Sequence, residues 1–186
     1  MLTALARIEK HAFQFACEID VVDANEWDRI VDEFDDLNCN QMARYAAGTW
    51  GDNVSPLLLR RHGKIVAAAC VTIHTLPGMN RGLAVLRYGP IWRRRGEVAD
   101  ITIYRAVVGA VMHEYCMRRG HFLTVVPRPF PEFYDQEARS LADIGFNERR
   151  PGAYDYWAKP SARIMGEAIY GMRSLQRTIR RWRYGA

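Results

Sequence analysis

The sequence predicts an α/β fold in which a mixed sheet combines an antiparallel meander with one parallel crossover, followed by a C-terminal helix. Two apolar runs at residues 55–61 and 65–76 flank His62-Gly63-Lys64, a spacing typical of a β-hairpin with a tight turn. A helical pattern over residues 97–119 is long enough to return the chain to a parallel strand at residues 122–126. With 186 residues, of which 25% are charged, the chain fits one globular domain.

The N-terminal part predicts one strand and two helices. Residues 13–22 form an apolar run typical of a strand, and Asp23 follows as the N-cap of a helix. That helix carries apolar residues at helical spacing, namely Trp27, Ile30, Val31 and Phe34. Turn-forming residues then separate it from a short second helix over residues 41–49.

The rest of the chain predicts the third meander strand, the crossover and two closing elements. Residues 83–88 form that strand, which Gly89-Pro90 ends, and Gly120 is the expected C-cap of the crossover helix. A proline-rich link then leads to a helix over residues 132–144 and a strand over residues 154–158. The predicted order is therefore β-α-α-β-β-β-α-β-α-β, with no internal repeat.

Residues 161–186 predict an amphipathic helix that is separate from the domain at residues 1–160. Its apolar residues recur at steps of three or four, and its polar side carries Arg173, Arg177, Arg180, Arg181 and Arg183. Such a helix packs either on its own domain or on something beyond it, such as a partner, RNA or an anionic membrane surface.

Charge is unevenly distributed along the chain. Residues 1–52 hold eleven acids and four bases, whereas residues 53–128 hold twelve bases and three acids. A separate basic surface would attract phosphates, whereas the alternative is a solvated surface whose two halves offset one another, and this second interpretation is favoured. No apolar run is long enough to span a bilayer and no signal peptide is apparent, so a cytoplasmic protein is expected.

Motifs for metal or hydrolytic chemistry are lacking in the sequence. The four cysteines are far apart, which predicts reduced and mostly buried thiols. The pair His113-Glu114 has Met117 where a zinc-binding helix needs its second histidine, so both residues are expected at the surface and no metal is predicted. A nucleophile elbow, a Walker loop and a GxGxxG sequence are also missing.

One phosphate-binding signal lies between the third meander strand and the crossover helix. There Arg93, Arg95 and Gly96 precede a helix N-terminus, where backbone N–H groups and guanidinium groups together can hold a pyrophosphate. The alternative for so short a pattern in an arginine-rich chain is a solvated loop.

Several short motifs follow one another in a definite order. Asn40-Gln41 precedes Tyr45-Ala46 on the second helix, and Tyr88-Gly89-Pro90 ends the third meander strand. Four further segments complete the set, namely the hairpin sequence at residues 63–69, the crossover sequence at residues 118–127, Leu141-x-x-Ile144-Gly145-Phe146, and the basic segment at residues 175–185.

This ordered set resembles the GNAT superfamily of acyl-CoA N-acyltransferases and, in detail, its Fem-type branch, the bacterial peptidoglycan bridge-forming aminoacyltransferases. The family motifs concerned are Gln-x-x-x-Trp-Ala, G-x-I-x-A-A, Arg-Gly-Pro and L-x-x-x-G-F. Arg93-x-x-Gly96 fills two of the three positions of the GNAT pyrophosphate pattern. Full-length Fem-type members have two such domains, so the resemblance implies a first domain with a helix leading to a second.

The resemblance implies direct transfer of an acyl group from a thioester or an aminoacyl-tRNA ester to an amine. A backbone N–H would support the oxyanion, and no catalytic side chain is implied. Expected substrate contacts are Asn40, Gln41, Tyr45, Tyr88, Gly89 and Pro90, and expected cofactor contacts are Arg93, Arg95 and Gly96. Helix capping and core packing are the alternative roles for Gln41 and Tyr45.

Three functional hypotheses follow. The first is a Fem-like transferase that modifies an amine of a small or lipid-linked cell-envelope precursor. The second is a single-domain CoA-dependent N-acetyltransferase, which Arg93-x-x-Gly96 favours. The third is a non-catalytic interaction module that binds through the arginine-rich helix.

Overall fold

A computed structural model describes residues 15–50, 53–75, 82–128, 132–149 and 156–159. These residues form one mixed sheet of seven strands in the order β1-β2-β3-β4-β5-β7-β6, with helices on both faces. The order confirms the predicted α/β class, because the first four strands form an antiparallel meander and β5 lies parallel beside β4.

The N-terminal elements follow the sequence pattern closely. Strand β1 (Phe15–Ile19) pairs with the second strand, and Asp23 caps helix α1 (Ala24–Val31) by accepting from the N–H groups of Asn25 and Glu26. A short 3₁₀ helix (Cys39–Gln41) and helix α2 (Ala43–Trp50) stand where one short helix was predicted.

The hairpin and the crossover are also confirmed. Strands β2 (Val54–Arg61) and β3 (Lys64–Thr75) are joined by His62 and Gly63, which both adopt positive φ as a two-residue hairpin turn requires. Strand β4 (Gly82–Arg87) completes the meander. Helix α3 (Ile101–Val111) then leads through a π-helical segment (Met112–Arg118) to β5 (Phe122–Val126).

The last described elements form the far edge of the sheet. Helix α4 (Tyr134–Ile144) ends at Gly145, whose φ of 91° permits the capping bonds from Gly145 and Phe146 back to the last turn. Strand β7 (Tyr156–Lys159) pairs with β5, and β6 (Asn147–Arg149) pairs with β7. The three-residue strand β6 was not predicted, since it is too short to show a pattern.

Two hydrophobic cores lie on opposite faces of the sheet. Helices α3 and α4 cover one face, where Tyr104 and Val108 pack on Leu57 and Leu123. Helices α1 and α2 cover the other, where Trp27 packs with Ala68 of β3 and with Ile91 beyond β4. The central strands therefore bury both of their faces, which explains their nearly continuous apolar sequences.

Two predictions about the crossover helix are wrong. The helix begins at Ile101 rather than residue 97, because Asp100 is its N-cap and the preceding loop is held by pairing elsewhere. Glu114 is buried rather than at the surface. The wider π-helical turn directs Glu114 inward to accept hydrogen bonds from Arg118 and Arg119, whereas His113 is exposed as expected.

The acidic N-terminal part and the basic middle part of the chain offset one another, as favoured from the sequence. Arg60 pairs with Glu18, Arg94 with Glu33, and Arg119 with Asp20. The charge asymmetry along the chain therefore becomes a set of ion pairs between elements in this part of the fold.

The predictions for residues 161–186, including the arginine-rich helix and a following domain, lie outside the described residues. All four cysteines are free. Cys70 and Cys116 are buried, whereas Cys17 and Cys39 are exposed, contrary to the expectation that most would be buried. Within the described ranges no helix combines the length and apolar character needed to cross a membrane.

We expect His121 to make folding stability depend on pH. Its Nδ1 accepts a hydrogen bond from the Gly82 N–H at 3.0 Å, and burial together with Arg119 lowers its pKa below the ordinary value of 6.5. The unfolded chain therefore binds a proton more readily than the folded chain. The contribution of His121 to the free energy of unfolding is fully present above about pH 6.5 and is lost as the pH drops below that value.

Urea unfolding at about pH 7.5 and about pH 5.5 measures this effect. The Asn side chain of His121→Asn keeps an acceptor without titrating, so the stability difference between the two pH values should shrink. The control is His62→Asn at an exposed turn position. An unchanged difference in His121→Asn would contradict the assignment.

Candidate functional site

The candidate site lies where β4 parts from β5. The two strands pair in parallel as far as Arg87 and Val126, and the Tyr88 N–H then donates to the Val126 carbonyl at 2.8 Å. Tyr88 takes a φ of 50° and the Gly89-Pro90 peptide is cis. Ile91 rejoins β3 through two bonds to Ala68 rather than continuing beside β5. The chain therefore leaves a break between the carboxyl ends of two parallel strands, a common location for ligand sites.

The side chain of Gln41 fills the gap on the opposite side of this segment, where β4 parts from β3. Its Nε2 donates to the Arg87 carbonyl at 2.7 Å, and its Oε1 accepts from the Cys70 N–H at 2.9 Å. Gln41 is fully buried. Its amide therefore replaces the backbone partner that β3 and β4 lose where they diverge.

Two further contacts hold the chain in place at residues 88 and 89. The Asn38 Nδ2 donates to the Tyr88 carbonyl at 2.6 Å. Gly89 packs so closely that a Cβ at this position would lie 2.6 Å from Cδ of Gln41. A side chain at position 89 would therefore displace the Gln41 amide.

Gly89 also presents a backbone donor. Among the described residues, no acceptor is bonded to the Gly89 N–H, although Gly89 itself is buried. Buried backbone N–H groups are nearly always paired, so this donor is suited to a ligand oxygen.

A buried cluster of charges lies beside the break. Arg128, two residues after β5, donates to Asp36 at 2.7 Å and to Glu137 at 2.5 Å. Glu137 also accepts from the Trp92 indole at 2.8 Å. Burial alone would lower the pKa of Arg128, but Glu137 and Asp36 raise it above its ordinary value. The guanidinium thus stays charged and ties helix α4 to Asp36 in the segment after α1.

The predicted phosphate loop is heavily occupied by the chain itself. Arg93 contacts Glu132 at 3.2 Å and lies 4.8 Å from the centre of the Phe133 ring. The exposed Arg95 lies 3.5 Å from Asp35. Gly96 has a φ of 75°, which turns the chain toward Asp100. Arg93 and Arg95 are therefore paired with carboxylates of the chain itself, whereas Arg95 and Gly96 remain exposed to solvent.

The predicted substrate contacts divide into two groups. Gln41, Gly89 and Pro90 are buried and Tyr88 is half-buried, whereas Asn40 in the 3₁₀ helix is half-buried and Tyr45 in α2 is exposed. For Gln41 the structure gives a structural role, which was the alternative drawn from the sequence.

Sequence reasoning missed Asn38, Asp36, Arg128 and Glu137. Asn38 lies within the turn-forming stretch, and a search for polar residues near Gly89-Pro90 could have included it. Arg128 meets Asp36 and Glu137 only in the folded protein, since these residues lie 92 and 9 positions away from it in the sequence. No local pattern marks them.

A separate open cavity of about 410 Å³ lies at the other end of β2 and β3. It is lined in part by Asp20, Ser55 and Arg119, which hydrogen-bond to one another. Because the charged side chains that line this cavity already pair with one another, it is a weaker candidate for a ligand site than the break at the end of β4. The described ranges bring together no group of three metal-ligating side chains.

No protein-family model and no curated protein matches this sequence. Solved structures do match. A protein described as a GNAT-family acetyltransferase from Desulfovibrio desulfuricans has a TM-score of 0.52 and 14% identity, over 78% of this chain and 98% of that one. FemX has a TM-score of 0.55 and 14% identity, over 70% of this chain and 32% of FemX.

A third match is YhhK from Escherichia coli, described as an N-acetyl transferase and solved bound to coenzyme A. It has a TM-score of 0.51 and 13% identity, over 79% of this chain and 98% of that one. The chain therefore has the GNAT fold, as the resemblance implied. At this identity the likeness establishes the fold alone.

We expect Gln41→Met to destabilise the fold by about 2–4 kcal/mol, because it keeps the side-chain length but leaves the Cys70 N–H and the Arg87 carbonyl without their side-chain partner. Chemical denaturation measures the loss. The control is Asn40→Ala, whose amide contacts only Cys39 Sγ at 3.6 Å among the described bonds. A cost no greater than that of the control would contradict the role of Gln41.

We expect Arg128→Met to cost about 3–5 kcal/mol, because the carboxylates of Asp36 and Glu137 would remain buried without their cation. Arg95→Met is the matched control at an exposed ion pair and should cost about 0–1 kcal/mol. Equal unfolding free energies for the two variants would show that the buried cluster contributes nothing.

Proposed function

We propose that this chain transfers an acyl or aminoacyl group to an amine at the break between β4 and β5. The observation that carries the proposal is the backbone N–H of Gly89, a buried residue, for which the described residues supply no acceptor. It lies at the carboxyl ends of the two parallel strands, and the GNAT fold of the chain is consistent with this reaction.

In the proposed reaction the amine nitrogen attacks the acyl carbon of a thioester or ester. A C–N bond forms, the C–S or C–O bond breaks, and the leaving thiol or hydroxyl takes up the proton that the amine loses. Negative charge develops on the acyl oxygen between these steps. A preformed N–H donor stabilises that charge without reorganising, because Asn38 and Gln41 already fix the backbone around it.

The remaining predicted contacts are proposed to position the acceptor. Asn40 is half-buried next to Gln41 in the chain and Tyr45 is exposed on α2, so both are accessible enough to meet a substrate, and Tyr88 lies at the break itself. Binding and orientation of the amine by such groups would supply much of the rate enhancement.

The proposed acceptor is an amine of a cell-envelope precursor. This finer proposal is supported by the ordered Fem-type motifs and by the likeness of the fold to FemX. An aminoacyl-tRNA ester is the donor that those motifs favour. An acyl-CoA thioester is the donor that Arg93-x-x-Gly96 would favour, but the pairing of that loop with the chain itself weighs against it.

A transfer assay tests the proposal directly. The chain is incubated with an aminoacyl-tRNA or acetyl-CoA and with a UDP-linked muropeptide or a simple amine, and new amide product is measured by mass spectrometry. Product above the protein-free rate in any arm supports acyl transfer. No product in any arm would overturn it.

The role of Gly89 can be tested by replacing its backbone amide with an ester, which removes the N–H and leaves the rest of the residue in place. We expect the turnover number to fall about 10²- to 10³-fold, as when an oxyanion donor is removed from a hydrolase. Stability should fall only slightly, since no described acceptor loses the Gly89 N–H and the Tyr88 carbonyl, as an ester, only becomes a weaker acceptor for Asn38.

The matched control is the same ester replacement at Ile91, whose N–H donates to the Ala68 carbonyl at 2.9 Å. This change should lower the free energy of unfolding by about 0.5–1.5 kcal/mol and leave turnover of the folded protein nearly intact. Equal turnover losses in the two variants would contradict an oxyanion role for Gly89.

A further inference from the structure

The loop after β4 contains an anion-binding cradle that is already filled. The consecutive backbone N–H groups of Trp92 and Arg93 donate to the two carboxylate oxygens of Asp36, at 3.0 and 3.2 Å. Arg128 adds a guanidinium at 2.7 Å. The Asp36 side chain is 0% exposed. Two adjacent backbone donors and a guanidinium form the kind of arrangement that holds a phosphate in other proteins.

We propose that Asp36 is an internal substitute for a phosphate, and that its carboxylate excludes donors that dock a diphosphate, such as acyl-CoA, from this loop. Asp36 would thereby determine donor specificity, which is a proposal that rests on acyl transfer being the function. The donor would have to be an activated ester recognised without a diphosphate at residues 92–96.

The surroundings of the cradle support this proposal. Arg93 pairs with Glu132, Arg94 pairs with Glu33 and Glu97, and Arg95 pairs with Asp35. A diphosphate brought to the loop would therefore face several carboxylates, and it would have to compete with them for the three arginines.

Two further backbone donors of the loop and one of the following helix are also used within the chain. The Arg95 N–H donates to the Glu33 carbonyl and the Glu97 N–H to the Arg94 carbonyl. At the N-terminus of α3, the Asp100 carboxylate accepts from the Thr102 N–H at 2.9 Å and lies 3.4 Å from Arg61. An internal carboxylate thus takes the place of an external anion at this end as well.

The cradle offers one donor more than a carboxylate uses. The buried Nε of Arg93 makes no hydrogen bond to any described residue and lies 3.8 Å from the Asp36 carboxylate. A carboxylate has two oxygens, whereas a phosphate has further oxygens that could reach this group. Removal of the Asp36 side chain should therefore create a site for a tetrahedral anion.

The test compares wild type, Asp36→Ala and Asp35→Ala in their binding of inorganic pyrophosphate and of CoA. Calorimetry measures affinity, and the ¹⁵N-resolved backbone signals of Trp92 and Arg93 report binding at the loop. We expect no shift of these signals in wild type or in Asp35→Ala, whose exposed carboxylate pairs only with Arg95 among the described bridges. Asp36→Ala should bind pyrophosphate at least about 10-fold more tightly than wild type.

Two outcomes would overturn the proposal. One is wild-type binding of CoA with shifts of the Trp92 and Arg93 signals, and the other is a folded Asp36→Ala that gains no anion affinity. If Asp36→Ala folds poorly, its refolding yield is measured in pyrophosphate against chloride of equal ionic strength. The proposal requires selective rescue by pyrophosphate, and a yield that is equal in both salts would also overturn it.

These measurements need no turnover, so they separate the two proposals. The acyl-transfer proposal would be overturned if no amide product formed, whatever anion binds at the loop. Wild-type CoA seated on residues 92–96 would remove the role of Asp36 and leave acyl transfer standing.

Discussion

The side-chain amide of Gln41 supplies the backbone hydrogen bonds that the sheet loses where β4 departs from β3. A break inside a buried sheet exposes N–H and C=O groups to an apolar surrounding, which is costly unless polar partners replace the ladder. Gln41 bonds to the Arg87 carbonyl and the Cys70 N–H, and Asn38 bonds to the Tyr88 carbonyl. The strand can therefore diverge without unravelling, and the candidate site has fixed walls before any substrate arrives.

Most charged side chains around that break are paired with one another. The acids that follow helix α1 meet the arginines after β4, and Arg128 joins Asp36 to Glu137 in the interior. Each pair satisfies a charge that would otherwise attract a ligand or be buried alone. The same region keeps a backbone donor at Gly89 for which the described residues supply no acceptor, while Arg93, Arg94 and Arg95 are paired with carboxylates.

Local signals explain which parts of the architecture could be predicted from the sequence. His62-Gly63, the Asp23 cap and the helical stripe of Tyr104 and Val108 each act within a few residues, so the hairpin, α1 and the crossover were correct. The start of α3, the inward turn of Glu114 and the partners of Asp36 depend on distant contacts or on a π-helical turn. The candidate site at Gly89-Pro90 stays a prediction, and Gln41 was assigned two alternative roles because its partners lie 29 and 46 residues away.

The π-helical segment at Met112–Arg118 also bears on how this fold tolerates changes in length. A π turn accommodates one more residue than an α turn between flanks that packing holds in place, here Val111 and Cys116 in the core beneath β5. Loss of one residue from the segment would rotate its side chains by about 100° and withdraw Glu114 from its arginines. The sheet would keep its register, whereas the same loss within β3 would move every following side chain to the opposite face.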